Sequence, residues 1–296
     1  MLDRRRFLQG MGLAAAALAV AAVDAKVPQN KAQTLAQRLA GIERHTGGRL
    51  GVALLDGSGA ALGGQRQDER FPMCSTFKFV LAAAVLQRVD RGELSLQQPV
   101  QIRAADMLAH APVTERHVGG ALSLAELCRA TMIFSDNPAA NLLFPLVGDP
   151  PGLTRFLRGL GDAQTRSDRH EPEMNRFAAG DPRDTTTPAA MAATLRALLL
   201  GDALQPASRE RLAAWMLDNR TGDACLRAGL PPGWKIGDKT GSNGTDTRND
   251  IAIVWPPGRR TPLLLTAYLN GAKVDDAARD AALKAVAVAV RETLAD

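Results

Sequence analysis

A serine and a lysine three residues apart, Ser75 and Lys78, stand in the stretch Pro72-Met73-Cys74-Ser75-Thr76-Phe77-Lys78-Phe79. The apolar, helix-forming run to Leu86 follows at once, which places the pair in the first turn of a helix. Positions i and i+3 are neighbours on a helix surface, so hydroxyl and ammonium would face one cavity. A serine hydroxyl is a weak nucleophile until a base activates it, and a buried lysine can lose its proton and serve. The helix N-terminus adds partial positive charge beside the Ser75 oxygen, worth ~0.3–1 kcal/mol where exposed. Alone, the pair reads equally as a capping serine followed by an exposed lysine. Its weight rests on what else the chain supplies.

Three further motifs follow in order. Ser135-Asp136-Asn137 lies between two helical stretches, Glu171-Pro172-Glu173-Met174-Asn175 in a long polar loop, and Lys239-Thr240-Gly241 after a β-rich segment. Each has a bland reading: an N-cap, a surface carboxylate, a hairpin end. Coincidence of all four in this order is a far rarer event. The combination also makes chemical sense. An acyl-serine ester is inert unless a base activates water against it, and Glu171 and Asn175, four residues apart, could hold one water between them.

The set resembles that of the class A β-lactamases, active-site serine enzymes that hydrolyse penicillins and cephalosporins. Their S-x-x-K, S-D-N and K-T-G motifs are shared with penicillin-binding proteins. The resemblance spans the chain beyond its leader, including both terminal helices. It implies catalytic roles for Ser75, Lys78, Ser135 and Glu171, with Ser75 as nucleophile and Glu171 activating the deacylating water. The base for acylation is Lys78 or Glu171. It implies an oxyanion hole formed by the backbone N–H groups of Ser75 and Ser242, where loss of one such donor costs ~2.7–4 kcal/mol. Ser135 would relay a proton to the departing lactam nitrogen, with Lys239 beside it. His110, Asn137, Asn175, Lys239, Thr240, Gly241, Ser242 and Arg248 would meet the substrate. Among these, Asn137 holds its amide, and Lys239 and Arg248 offer charge to its carboxylate. Gly241 lets it lie close to the strand. Arg248 reads otherwise as a solvated strand residue, and His110, at the place of a family aromatic, as an exposed loop histidine.

The resemblance also implies an Arg169–Asp184 ion pair at the neck of the Glu171 loop and a cis Glu171–Pro172 bond. Two disulfide patterns occur in the family. Here each lacks a partner, because Asn243 stands opposite Cys74 and Ala82 opposite Cys128. Cys225 matches neither, so three free thiols are expected, with Cys74 and Cys128 buried.

The elements that must position these residues can be read from periodicity. Leu35, Leu39 and Ile42 at helical spacing define an amphipathic helix over 31–44, stopped by Gly47-Gly48. Arg49–Asp56 and Ala60–Gly64 read as a hairpin around Gly57-Ser58-Gly59. Ser123 with Glu126 caps a helix to Phe134, and further helices start at Asn137, Gly152, Thr187 and Ser208. Gln164–Asp184 has no period. Gly233–Asp238, Ile251–Trp255 and Pro262–Leu269 are β-rich, and Asp275–Leu294 is a closing helix. The order predicts an α/β fold: an antiparallel five-stranded sheet flanked by N- and C-terminal helices, with an inserted all-α domain. Residues 26–66 and 219–296 would form the discontinuous α/β domain, and 67–218 the helical one.

Residues 1–25 read as a signal peptide. Arg4-Arg5-Arg6 precede Phe7-Leu8 and an uncharged run from Met11 to Val23, shorter than the ~20 residues a span needs. The arginines point to twin-arginine export, with an ordinary Sec leader as the alternative. Either route predicts a periplasmic enzyme, free of the membrane after cleavage and monomeric. The formal charge is +5 with 4% aromatics, and the charges are interspersed, which disfavours nucleic acid as a partner. The three cysteines and four histidines match no zinc spacing; no metal or other cofactor is expected. The expected partners are small-molecule β-lactams. The competing functions are a D,D-peptidase, which lacks the Glu171–Asn175 loop, and a sensor that is acylated and never hydrolysed.

Overall fold

The computed structural model describes residues 29–295; the expected leader and its export route lie outside the described residues. Helix α1 (Gln29–Thr46) buries Leu35 and Leu39 and ends at Gly47, whose φ of 66° only glycine adopts freely. Strands β1 (Arg49–Asp56) and β2 (Ala61–Gln65) form the expected hairpin. The Asp56 carboxylate closes its turn by accepting from the N–H groups of Ser58, Gly59 and Ala60. Strand β3 (Phe71–Pro72) leads into a 3₁₀ turn, Cys74–Thr76, and then α2 (Phe77–Asp90). Every residue from Phe77 to Leu86 is buried, as an all-round apolar helix must be.

Short strands β4 (Pro99–Gln101) and β5 (Ala121–Ser123) pair ahead of α3 (Leu124–Ile133). The capping box is present: Ser123 Oγ accepts from Glu126 N–H, and the Glu126 carboxylate accepts from Ser123 N–H. Then come α4 (Asn137–Leu143), α5 (Asp149–Gly159), β6 (Thr185–Thr186, paired with β3), α6 (Pro188–Leu199) and α7 (Pro206–Leu217). Strands β7 (Lys235–Ser242), β8 (Arg248–Trp255) and β9 (Leu263–Asn270) precede the closing helix α8 (Asp276–Ala295).

The predicted sheet is there, five strands in the order β2-β1-β9-β8-β7 with every pair antiparallel. Pairing of β1 with β9 joins the two ends of the chain. Alternation along each strand feeds two cores. Val52, Leu54, Ala252 and Leu265 pack against Leu35 and Leu39 of α1 and Leu283 and Val286 of α8. Ile251, Ile253, Leu264 and Tyr268 pack on the other face against the α2, α6 and α7 side. Among the described residues no helix is long and apolar enough to cross a membrane.

Two expectations need correction. The strand expected over Gly233–Asp238 runs from Lys235 to Ser242, so Lys239-Thr240-Gly241 lies inside it. Ser75 sits in the 3₁₀ turn before α2, because Cys74 adopts a positive φ of 45° that no α-helix accepts. The three cysteines are free and Cys74 and Cys128 are buried, as expected; Cys225 is buried too. Burial pushes the Cys128 thiol up to about 12, and the thiols of Cys74 and Cys225 upward too.

Asp136 fixes the turn between α3 and α4. Fully buried, it accepts from the N–H groups of Val113 and Thr114 at 3.0 Å, from the Thr114 hydroxyl, and from Ala139 N–H at 2.9 Å as the N-cap of α4. Asp136→Ala removes the cap, ~0.5–2 kcal/mol, and strands further buried donors at ~1–3 kcal/mol each. A loss of about 3 kcal/mol or more is expected. It should appear in a thermal melt as a midpoint lowered by about 6–12 °C.

Candidate active site

Ser75 is held by its own turn and by β7. A Cβ built on Gly241 would lie 2.8 Å from the Met73 carbonyl oxygen and 3.2 Å from Ser75 N. Only a bare backbone can approach so closely. The Ser75 hydroxyl accepts from Lys78 Nζ at 3.0 Å and lies 3.5 Å from Glu171 Oε1. Lys78 is wholly buried, and its ammonium reaches the Ser135 carbonyl at 2.7 Å, the Ser135 hydroxyl at 3.4 Å, Asn137 Oδ1 at 2.5 Å and Glu171 Oε1 at 3.3 Å. Ser135, at a φ of 59°, turns its carbonyl and hydroxyl to the same ammonium.

Lys239, also wholly buried, donates to the Ser135 hydroxyl at 3.1 Å and to the Thr240 carbonyl at 2.8 Å. Ser135 therefore stands between two lysines. Burial drives both ammonium groups toward neutrality. Glu171 opposes this at Lys78. At Lys239 the charge of Lys78 reinforces it, bringing the group to about 7.

The Lys239 shift carries a stability consequence with a definite sign. Its folded value lies below its ordinary 10.5, so between about 7 and 10.5 the folded protein binds fewer protons than the unfolded chain. Stability then rises with pH across that window, and the cost of the buried charge is fully present below about 7. Urea melts at pH 6 and pH 9 are expected to show the wild type gaining stability relative to Lys239→Gln as pH rises. A pH-independent difference would contradict the shift.

Glu171 is placed by the loop. The Glu171–Pro172 bond is cis, as the resemblance implied. Asn141 clamps the Glu171 backbone from both sides, accepting from its N–H at 3.1 Å and donating to its carbonyl at 2.8 Å. Asn175 Nδ2 donates to Glu171 Oε2 at 2.5 Å, while Asn175 Oδ1 is buried without a partner. At the neck, buried Asp184 accepts from the N–H groups of Asp168 and Arg169 and from Arg169 Nε at 2.6 Å. A segment without periodicity is thus tied down by Asp184 at its neck and by Asn141 of α4.

These groups face a cavity of about 290 Å³ lined by Ser75, His110, Ser135, Asn137, Asn175, Thr240, Gly241, Ser242 and Arg248. Lys78, Glu171 and Lys239 form the buried layer behind it. His110 stands at the mouth with its Nε2–H on the Phe134 carbonyl at 2.9 Å. Arg248 lines the cavity with its Nε paired to Asp280 at 2.6 Å. Thr221, Asn141 and Asp280 were not found from the sequence. Thr221 lines the cavity, its hydroxyl in contact with that of Thr240. Asp280 lies 32 residues from Arg248 and no pattern links them. Asn141 had a usable signal, standing four residues after Asn137 on the same face of α4.

A serine, two buried lysines and a carboxylate gathered on this fold are the groups that a serine hydrolase working through an acyl-enzyme requires. Comparison with known proteins gives the family. The model of the β-lactamase enzyme family matches residues 33–294. β-Lactamase L2 of Stenotrophomonas maltophilia is 56% identical over 282 residues, 93% of each chain. β-Lactamase CTX-M-8 of Citrobacter amalonaticus is 48% identical over 81% of this chain and 82% of its own. A β-lactamase crystal structure from Xanthomonas campestris pv. campestris superposes with a TM-score of 0.88 at 78% identity, covering 89% of this chain and 98% of the other. An ancestral class A β-lactamase superposes at 0.85 with 56% identity, over 87% and 99%. The chain belongs to the β-lactamase enzyme family, on its class A branch.

Proposed function

We propose that this enzyme hydrolyses β-lactams through Ser75 and so confers resistance to them. The observation that carries the reading is the triangle of Ser75 Oγ, Lys78 Nζ and Glu171 Oε1, with sides of 3.0, 3.3 and 3.5 Å. Ser75 Oγ attacks the lactam carbonyl, and its proton passes to the coupled Lys78–Glu171 pair, which acts as one base. The N–H groups of Ser75 and Ser242 receive the developing oxyanion. As the C–N bond breaks, Ser135 hands a proton to the nitrogen and is resupplied by the lysines on either side. Water held by Glu171 and Asn175 then attacks the ester carbonyl. Glu171 takes the water's proton, and the departing Ser75 oxygen recovers one from the pair. Asn137 holds the substrate amide. Lys239, Thr240, Ser242 and Arg248 meet its carboxylate, Gly241 leaves room for it, and His110 edges the mouth. Asp280 draws off part of the Arg248 charge, so Lys239 and the hydroxyls carry more of that contact.

The reading includes export to the periplasm by the leader at residues 1–25, action as a monomer, and division into an α/β domain (26–66 and 219–296) and a helical domain (67–218). A chromogenic cephalosporin such as nitrocefin tests the central claim. Sustained turnover that disappears in Ser75→Ala is expected. A single stoichiometric burst would mark a non-hydrolysing sensor, and turnover of D-Ala-D-Ala peptides alone would mark a D,D-peptidase.

A further inference from the structure

Gly241, Asn249 and Tyr268 lie side by side across three strands, Gly241 opposite Asn249 and Asn249 opposite Tyr268. Directly opposed residues project from the same face of a sheet. This row meets the segment from Pro72 to Thr76. Gly241 presents bare backbone to Met73 and Ser75. Asn249 Nδ2 donates to the Pro72 carbonyl at 2.8 Å and to the Met73 carbonyl at 3.1 Å. The Tyr268 hydroxyl lies 3.3 Å from Thr76 Oγ1, which itself donates to the Met73 carbonyl at 2.8 Å. Asn249 and Tyr268 are wholly buried.

We infer that Asn249 is a positioning residue of the oxyanion hole: its amide seats the turn carrying Ser75 against β7, and so sets the Ser75 N–H relative to the Ser242 N–H. Three observations converge. Asn249 spends its amide hydrogens on the carbonyls of Pro72 and Met73, the two residues just ahead of Cys74 and Ser75. Its Oδ1 is buried with no partner, a cost that an apolar residue in this place would avoid and that marks a group kept for something other than stability. Between its two targets and Ser75 stands Cys74 at a φ of 45°, a conformation that persists only where its surroundings hold it. The inference rests on the hydrolase reading above. Asn249 touches neither substrate nor reacting atoms, and acts through the Ser75 turn.

The test uses Asn249→Leu, which keeps volume and removes the amide, and Asn249→Ala. Acylation by a penicillin is followed by stopped flow. Phenylboronic acid, whose boron adds to the serine and places an oxygen in the oxyanion hole, supplies an inhibition constant. Affinity for the hydrolysed penicillin, which binds without a tetrahedral centre, is the control. A displaced oxyanion donor predicts acylation and boronate affinity both lowered about 10–100-fold, with product affinity within about twofold of wild type. The thermal midpoint of Asn249→Leu should stay within a few degrees of wild type. A folded variant that acylates and binds boronate like wild type overturns the proposal. So does an equal loss of product affinity, or failure of both variants to fold, either of which assigns Asn249 to architecture. Wild-type acylation is recorded first by mass spectrometry; its absence would count against the hydrolase reading and not against Asn249.

Discussion

Replacing Glu171 by glutamine is expected to convert the enzyme into one that stays acylated. The substitution keeps the shape of the side chain and removes the carboxylate that lies within reach of both Ser75 Oγ and Lys78 Nζ. Glutamine can still contact Asn175, so the loop keeps its form. It cannot accept a proton from water. A positioned general base contributes typically about 10²–10⁴-fold, and turnover of a penicillin should fall by that factor. Acylation survives better, because Lys78 still touches the Ser75 hydroxyl at 3.0 Å and loses the carboxylate that favoured its charged form. Mass spectrometry minutes after mixing should find the protein heavier by one intact β-lactam. Unchanged turnover would remove Glu171 from the mechanism.

How far the sequence disclosed this arrangement depends on the kind of contact. Elements set by local patterns were legible: Leu35 and Leu39 gave α1, the Ser123–Glu126 capping box gave α3, and the apolar, β-rich run Ile251–Trp255 gave β8. The five-stranded sheet followed from the order of those elements. Features set by distant partners were not. Gly241 reads locally as a turn signal, yet it lies within β7 because the Met73–Ser75 backbone packs where its side chain would be. The pairs β3–β6 and β4–β5 are two or three residues per strand, too short for a period to register. The stretch Gln164–Asp184 offers no alternation, and its order comes from Asp184 and from Asn141 on α4. The chemistry was more legible than the scaffold, since nucleophile, lysines and carboxylate sit in short motifs. The groups behind them, Thr221, Asn249 and Asp280, have no local signature, because each acts on a partner brought near only by the fold.

Glu171→Gln and Lys78→Ala should fail at different steps. Lys78 and Glu171 side chains are both fully shielded from solvent, 3.3 Å apart. Alanine at 78 takes the ammonium from the Ser135 carbonyl, Asn137 Oδ1 and Glu171 Oε1 together. Breaking a buried ion pair from one side costs about 3–5 kcal/mol, because the remaining charge is left uncompensated. The thermal midpoint should therefore fall by about 6–20 °C. The catalytic loss comes earlier in the cycle than in Glu171→Gln. Ser75 loses its nearest proton acceptor, and Ser135 loses one of its two lysines. Acylation itself should slow by about 10²–10⁴-fold, so that little adduct accumulates even though deacylation is also impaired. A mass-spectrometric time course on the two variants side by side separates the steps: adduct at full occupancy in Glu171→Gln, and mainly unmodified protein in Lys78→Ala. Wild-type acylation by a folded Lys78→Ala would mean that Glu171 alone serves Ser75, and that Lys78 is there to hold Ser135 and Asn137 in place.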